Sequence, residues 1–341
     1  MKICFLSLSG LSFNVVTPEV QPLGGTESSF CYLARELAKT HDVTLVARNC
    51  LKQTIMNVKH DCEVNVGDFD VVISNAPIQM TGDRKPKYIF WNHLAHFDSA
   101  IKSLMFKDVL QGIDAVVYVS EWQKNECEKQ FGKARNTKVI GNGLTPAFEN
   151  MFRSSDELRE AKQQNIGVYT STPYRGLRLL PEIMDRLENI SLEVYSGLAV
   201  YQGDDAGYQG IYDSLKRPDT TLCGNLSQVE LATKLRRASY MLYPSVFPET
   251  FCIAVLEAMA AGLGVITSNL GALPETLKGY GYMAREELTG VDIFVDRFVA
   301  AYSYAVSNHV DRWQQVEYVN KNCLWKHRAQ AWNSLLQEVV D

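Results

Sequence analysis

Short runs of consecutive apolar residues alternate with amphipathic stretches through most of this 341-residue chain. Residues 2–8 read as a buried strand. A helix is predicted from Gly24-Gly25-Thr26-Glu27 to about Lys39, because Phe30, Leu33, Ala34, Leu37 and Ala38 recur on one helical face. Strands are expected at 43–47, 71–74, 88–91 and 115–119, a helix at 120–130, and a strand at 138–140 that ends in Gly141-Asn142-Gly143. The apolar runs are continuous rather than alternating. That is the pattern of strands buried on both faces, so a parallel sheet covered by helices is predicted.

From about 144 to 164 the pattern breaks into polar and charged residues, with Pro146 and Arg153-Ser-Ser-Asp. This stretch reads as a linker. The alternation restarts with a strand at 166–170, a helix at 177–187, and strands at 192–195, 240–243 and 265–267. Two long helices are predicted at 291–307 and 312–340. The expected organisation is a first domain at 1–145, a linker at 146–164, a second domain at 165–317 and a terminal helix at 318–341. The predicted fold class is α/β, with two Rossmann-like parallel-sheet domains facing each other across a cleft. In such folds ligands bind outside the carboxyl ends of the strands.

Composition narrows the function. The chain is 46% apolar and 21% charged, as globular proteins are. Its net charge of −5 argues against a nucleic-acid partner. Residues 1–150 carry 16 basic and 16 acidic side chains, so the whole excess lies in the second half. The eight cysteines form no Cys-x-x-Cys pair and several lie in apolar runs, which predicts free thiols in a reducing compartment. No signal peptide is apparent, and no apolar run approaches the ~20 residues that span a bilayer. A cytoplasmic protein is expected, with peripheral membrane contact left open. The basic clusters Arg84-Lys85-Pro86-Lys87 and 133–138 read better as solvated loops than as lipid contacts.

The densest chemistry lies between Pro248 and Gly262. Glu257 is flanked by Ala254, Val255, Leu256, Ala258, Met259 and Ala260, and a carboxylate there is costly without a partner. Glu249 precedes a predicted helix start where the N–H groups of Thr250, Phe251 and Cys252 would point outward and attract an anion. Two acceptor side chains beside an anion site suit a ligand that is phosphorylated and rich in hydroxyls, such as a nucleotide-sugar. The plainer readings are a helix-start charge for Glu249 and an ion pair for Glu257. No Gly-x-Gly-x-x-Gly and no Gly-Lys-Ser/Thr occurs, so neither a dinucleotide fingerprint nor a Walker loop is present. Asp68-Phe-Asp70 reads as polar residues leading into a strand, and Asp204-Asp205 as a solvated loop, so no metal is expected. Tyr201, Tyr208 and Tyr212 fit a sugar or base pocket and core packing equally well.

The run Phe247-Pro-Glu-Thr-Phe-Cys-Ile-Ala-Val-Leu-Glu-Ala-Met-Ala-Ala-Gly-Leu-Gly-Val-Ile resembles the glutamate-x7-glutamate signature of retaining glycosyltransferases of family 4, which have the GT-B fold. Leu23-Gly-Gly-Thr-Glu, Val119-Ser-Glu-Trp, Asn142-Gly143 and Gly271-Ala-Leu-Pro-Glu resemble other loops of that family, in the same order. The resemblance implies sugar transfer from a nucleoside-diphosphate-sugar to a glycan, lipid-linked or protein acceptor, with retention and without metal or cofactor. It places Glu249 on the sugar hydroxyls, Glu257 on the ribose and Arg175 on the diphosphate. It adds Ser171, Thr250, Phe251 and Cys252 to the donor site and Leu226 beside the base. Gly24 and Gly25 would allow close backbone approach, with Thr26 capping the helix behind them. His93 would touch the sugar near its reacting carbon, with His96 as a competitor. The terminal helix, with Leu324, Ala331, Leu335 and Val339 on its apolar face, would cross back onto the first domain. One departure is plain: Thr170, Ser171 and Thr172 stand where an arginine is frequent, which leaves Arg175 as the main cation. Two other classes remain open, a nucleotide-sugar epimerase of similar fold and a non-catalytic nucleotide-sugar-binding subunit.

Overall fold

Strands form where the apolar run is unbroken. In the computed structural model, which describes residues 1–79, 86–163, 165–285, 290–308 and 311–341, the chain divides into two units. The first comprises Met1–Pro18, Leu23–Gly143 and Trp325–Asp341, and the second Glu19–Pro22 and Leu144–Leu324.

The sheet of the first unit holds β1 (Lys2–Leu6), β2 (Asp42–Val46), β3 (Gln53–Ile55), β4 (Val58–Asp61), β5 (Val71–Ser74), β6 (Lys87–Asn92), β7 (Ala115–Tyr118) and β8 (Thr137–Val139). Their order is β3-β4-β2-β1-β5-β6-β7-β8. Neighbours are parallel except β3 and β4. Every residue of β5 and β7 is buried, which is why their sequences carry no polar alternation. The helix Gly25–Leu37 buries Phe30, Leu33, Ala34 and Leu37 as predicted from their spacing. The Phe30 ring stacks on Trp91 with centroids 5.3 Å apart. The terminal helix Trp325–Val340 packs on Gly25–Leu37 and drives Trp332 to within 4.9 Å of Trp91, centroid to centroid. Burial of aromatic side chains of this size contributes roughly 1.5–3 kcal/mol each. Gly143 lies against the Trp325 ring, and a Cβ there would collide with it.

The sheet of the second unit holds β9 (Ile166–Tyr169), β10 (Ser191–Val194), β11 (Thr220–Leu222), β12 (Tyr240–Tyr243), β13 (Gly264–Ser268) and β14 (Tyr282–Ala284). The order is β11-β10-β9-β12-β13-β14, and all neighbours are parallel. The chain proceeds from β9 to one side and later to the other, so the strand order reverses between β9 and β12. That is the point at which open parallel sheets hold ligands. The helix Ile253–Ala260 follows β12 and is buried from Val255 to Ala260.

Two sequence expectations are corrected here. The stretch 146–164, read as a linker, is an ordered part of the second unit in its described residues, with Gln164 outside them. Ser154 caps the helix Ser155–Ala161 by accepting the Glu157 N–H at 3.2 Å, and Phe148, Phe152 and Leu158 are buried. Single apolar residues in a polar setting give no period to read. The helix expected over 312–340 is two helices, Trp313–Asn322 in the second unit and Trp325–Val340 in the first. The break falls where Leu144 N–H donates to Cys323 O at 2.6 Å and Leu144 bridges Leu324. The strands β3, β4, β11 and β14 were not predicted. They are short, and most of their residues are exposed or half-exposed. Arg84 and Lys85 of the basic cluster lie outside the described residues. No helix among the described residues is long and apolar enough to cross a membrane.

Candidate functional site

β9 and β12 end side by side at Tyr169 and Tyr243, and the residues that follow them build the site. After β9 the chain runs through Thr170, Ser171 and Thr172 into a single 3-10 turn at Pro173–Arg175. The next residue, Gly176, has φ +125°, and a Cβ there would meet Pro244 O. Only glycine allows this close passage, and it turns Arg175 toward the loop that follows β12. In that loop Ser245 Oγ donates to Phe247 O at 2.9 Å and accepts the Phe247 N–H at 3.3 Å. The loop delivers Glu249, which is buried.

Arg175 and Glu249 meet as an ion pair. Nη1 of Arg175 lies 2.6 Å from both Oε1 and Oε2 of Glu249. The glutamate side chain is only 4% exposed, whereas that of the arginine is 22% exposed. The Tyr243 hydroxyl also donates to Glu249 Oε1, and Ser171 Oγ lies 3.4 Å from that hydroxyl. The guanidinium is further placed over the Phe247 ring, 4.8 Å from its centroid. Burial works against the charge on Arg175, but Glu249 and the surrounding tyrosines outweigh it, so its pKa is held above the ordinary value. Its Nε is buried without a hydrogen-bond partner among the described residues. An unpaired buried donor is costly, and an oxygen-rich ligand would satisfy it.

Glu257 lies on the Ile253–Ala260 helix and is buried. Its Oε1 accepts the Thr145 hydroxyl at 2.5 Å. Burial raises its pKa from 4.5 to about 7, against the lowering effect of that hydrogen bond. Among the described residues no arginine or lysine pairs with it, so the plain ion-pair reading of Glu257 is corrected.

The expected helix start is also corrected. The helix begins at Ile253, with Cys252 as its N-cap, so its first free N–H groups belong to Ile253, Ala254 and Val255 rather than to Thr250, Phe251 and Cys252. Cys252 has φ +72° and cannot continue a right-handed helix. The Phe251 carbonyl is taken by the Thr276 hydroxyl. Leu226 packs against the core of the second unit. Asp205, expected to be solvated, instead accepts the Leu198 N–H at 2.9 Å and fixes the turn after β10.

The first unit holds the remaining candidates. Gly24 is the extended N-cap of the Gly25–Leu37 helix, with no side-chain cap, so Thr26 lies inside the first turn and does not cap it. Glu27, in the first turn of the same helix, is buried, and that burial raises its pKa; the sequence reading gave it no role of its own. His93 follows β6, with Nε2 3.1 Å from Asn142 Oδ1 and its ring 4.6 Å from Trp91. Burial lowers its pKa to about 4, partly opposed by Asn142. His96 packs on Phe97 and Trp122. Asp70 accepts the Lys2 N–H at 2.7 Å, a structural use of the Asp-x-Asp pair. Among the described residues no three His, Cys, Asp or Glu side chains gather as a metal-ligand set. A depression of about 900 Å³ in the second unit, lined by residues such as Phe152, Trp313 and Tyr318, includes none of the candidates.

Comparisons with known proteins agree with the fold. Residues 166–303 match the family model described as glycosyl transferases group 1. The chain is similar to the lipopolysaccharide 1,2-N-acetylglucosaminetransferase of Salmonella typhimurium, at 30% identity over 209 residues, 56% of this chain and 54% of that protein. It spans little more than half the length of the curated relatives it matches. Among solved structures it is similar to the sucrose-phosphate synthase of Thermosynechococcus elongatus, with TM-score 0.77 at 16% identity over 99% of this chain and 98% of that one. It is also similar to HepE of Anabaena in complex with UDP-glucose, with TM-score 0.73 at 13% identity over 99% and 100%. The fold is that of the GT-B glycosyltransferases, two Rossmann-like parallel-sheet α/β domains.

Proposed function

We propose that this chain is a retaining glycosyltransferase that moves a sugar from a nucleoside-diphosphate-sugar to a glycan, lipid-linked or protein acceptor. The observation that carries this reading is the Arg175–Glu249 pair at the strand-order reversal, with a donor left unsatisfied on Arg175. Arg175 would hold the diphosphate and stabilise the charge that develops as the nucleotide leaves. Glu249 would accept hydroxyls of the transferred sugar and Glu257 those of the ribose. Gly24, Gly25 and a neutral His93 would serve the acceptor side. The leaving phosphate would take the proton of the acceptor hydroxyl on the face it departs from, so no resident metal or cofactor is required. A UDP-sugar is the first donor to try: the similar Anabaena structure holds UDP-glucose and the Salmonella relative is an N-acetylglucosaminetransferase.

The test is to incubate the purified chain with a panel of UDP-, GDP- and ADP-sugars, with and without acceptors and EDTA. Nucleotide release and anomeric configuration would be followed by NMR. Transfer with retention that survives EDTA supports the proposal. Epimerised donor, or donor binding without turnover, rejects it in favour of an epimerase or a binding subunit.

A further inference from the structure

Resting on the reading of Glu249 as the sugar-binding carboxylate, we infer that Tyr243 is a positioning residue that fixes the Glu249 carboxylate for the transferred sugar. Tyr243 is the last residue of β12 and is fully buried. A phenylalanine would fill the same volume with no polar atom to satisfy. The hydroxyl is retained in a dry place, where it costs free energy unless it is partnered, and its partner is Glu249 Oε1. Burial first, and Glu249 second, push the Tyr243 pKa up, so the phenol stays a proton donor.

The backbone of Glu249 is pinned independently. Its carbonyl accepts the Ala272 N–H at 2.7 Å. Gly271, at φ +61°, lies so close to the Glu249 backbone that a Cβ there would collide with it. Among the described residues, Arg175 and Tyr243 donate to the carboxylate. Arg175 would be drawn away as it takes up phosphate. Tyr243 still donates then, and it keeps one carboxylate oxygen fixed while the other meets the sugar.

Tyr243→Phe separates this role from packing. Calorimetry with UDP-glucose and with UDP, on the wild type and the variant, measures the sugar's own share of binding. The wild type is expected to bind both. In Tyr243→Phe the affinity for UDP stays within about twofold, while the preference for UDP-glucose over UDP falls about tenfold, equivalent to ~1.4 kcal/mol. In the transfer assay kcat falls with it, and combining Tyr243→Phe with Glu249→Gln adds no further loss. An unchanged preference overturns the role of Tyr243 alone. Equal weakening of both ligands also overturns it, since that marks a packing defect. If the wild type binds neither ligand nor any other donor of the UDP-, GDP- and ADP-sugar panel, the proposed function and this inference fall together; if the panel selects another donor, that donor and its nucleotide replace UDP-glucose and UDP in the same comparison.

Discussion

Arg175 and Glu249 are 74 residues apart in sequence, yet one guanidinium nitrogen lies 2.6 Å from each carboxylate oxygen. The pair is lopsided, with Glu249 sealed in and Arg175 reaching solvent. Removing either partner therefore has different consequences.

Arg175→Ala leaves a buried carboxylate without its cation, with the Tyr243 hydroxyl still donating to it, and breaking a buried pair in this way costs about 3 kcal/mol. Glu249→Ala leaves an arginine that can turn to water but deprives the buried Tyr243 hydroxyl of its carboxylate partner, so it costs roughly 1–2 kcal/mol. Both variants are expected to lose at least about tenfold in transfer at subsaturating donor. Urea titrations check the stability order. A Glu249→Ala variant less stable than Arg175→Ala would contradict it.

Glu257 gives stability a pH dependence of unusual sign. Its folded pKa of about 7 exceeds the ordinary value of 4.5, so between these limits the folded state holds the proton more tightly than the unfolded one. The contribution is fully present below pH ~4.5 and is lost as pH rises through about 7, on the order of 3 kcal/mol in all. Glu257→Gln should flatten this slope and be more stable than wild type at pH 8. Denaturation curves from pH 5 to 8 that keep the wild-type slope would falsify the assignment.

His93 acts in the opposite direction. Its pKa is lowered to about 4, so its contribution is present above the unfolded value near 6.5 and is lost as pH falls toward 4. The ring should be neutral throughout the range in which the chain is assayed. An NMR titration of its ring protons is expected to show no transition between pH 8 and 5.5, and a midpoint above 6 would remove the neutral-imidazole role proposed for it.

Cys252 occupies the left-handed region at φ +72° as the N-cap of the Ile253–Ala260 helix. That conformation suits glycine. Cys252→Gly is expected to raise stability by up to about 1 kcal/mol. A lower urea midpoint in this variant would show that the thiol's packing outweighs the strain.

Continuous apolar runs made the central strands readable. Val71-Val-Ile and Ala115-Val-Val could hardly be anything else, and β12 was predicted at its observed limits. What escaped was set by tertiary contact. Phe152 and Leu158 look isolated along the chain but meet Val316 in one buried cluster. The end of the Trp313–Asn322 helix depends on Leu144, which is remote in sequence. In the site, Glu257 stood out as a charge in an apolar run and Glu249 as a charge before a helix start, whereas Arg175 was picked out by the family resemblance. Tyr243 and Thr145 did not, because a tyrosine ending a strand and a threonine before a proline look ordinary until their hydroxyl partners are known. The helix start was misplaced because a left-handed cysteine leaves no trace in composition.

The return of Trp325–Val340 to the first unit bears on how that half can be produced alone. A gene fragment stopped at Gly143 would encode a sheet stripped of the helix that covers Trp91, leaving indole surface open to self-association. Splicing residues 325–341 directly behind 143 would restore the missing cover. Expressed side by side, the truncated version should precipitate and the spliced one should stay dispersed.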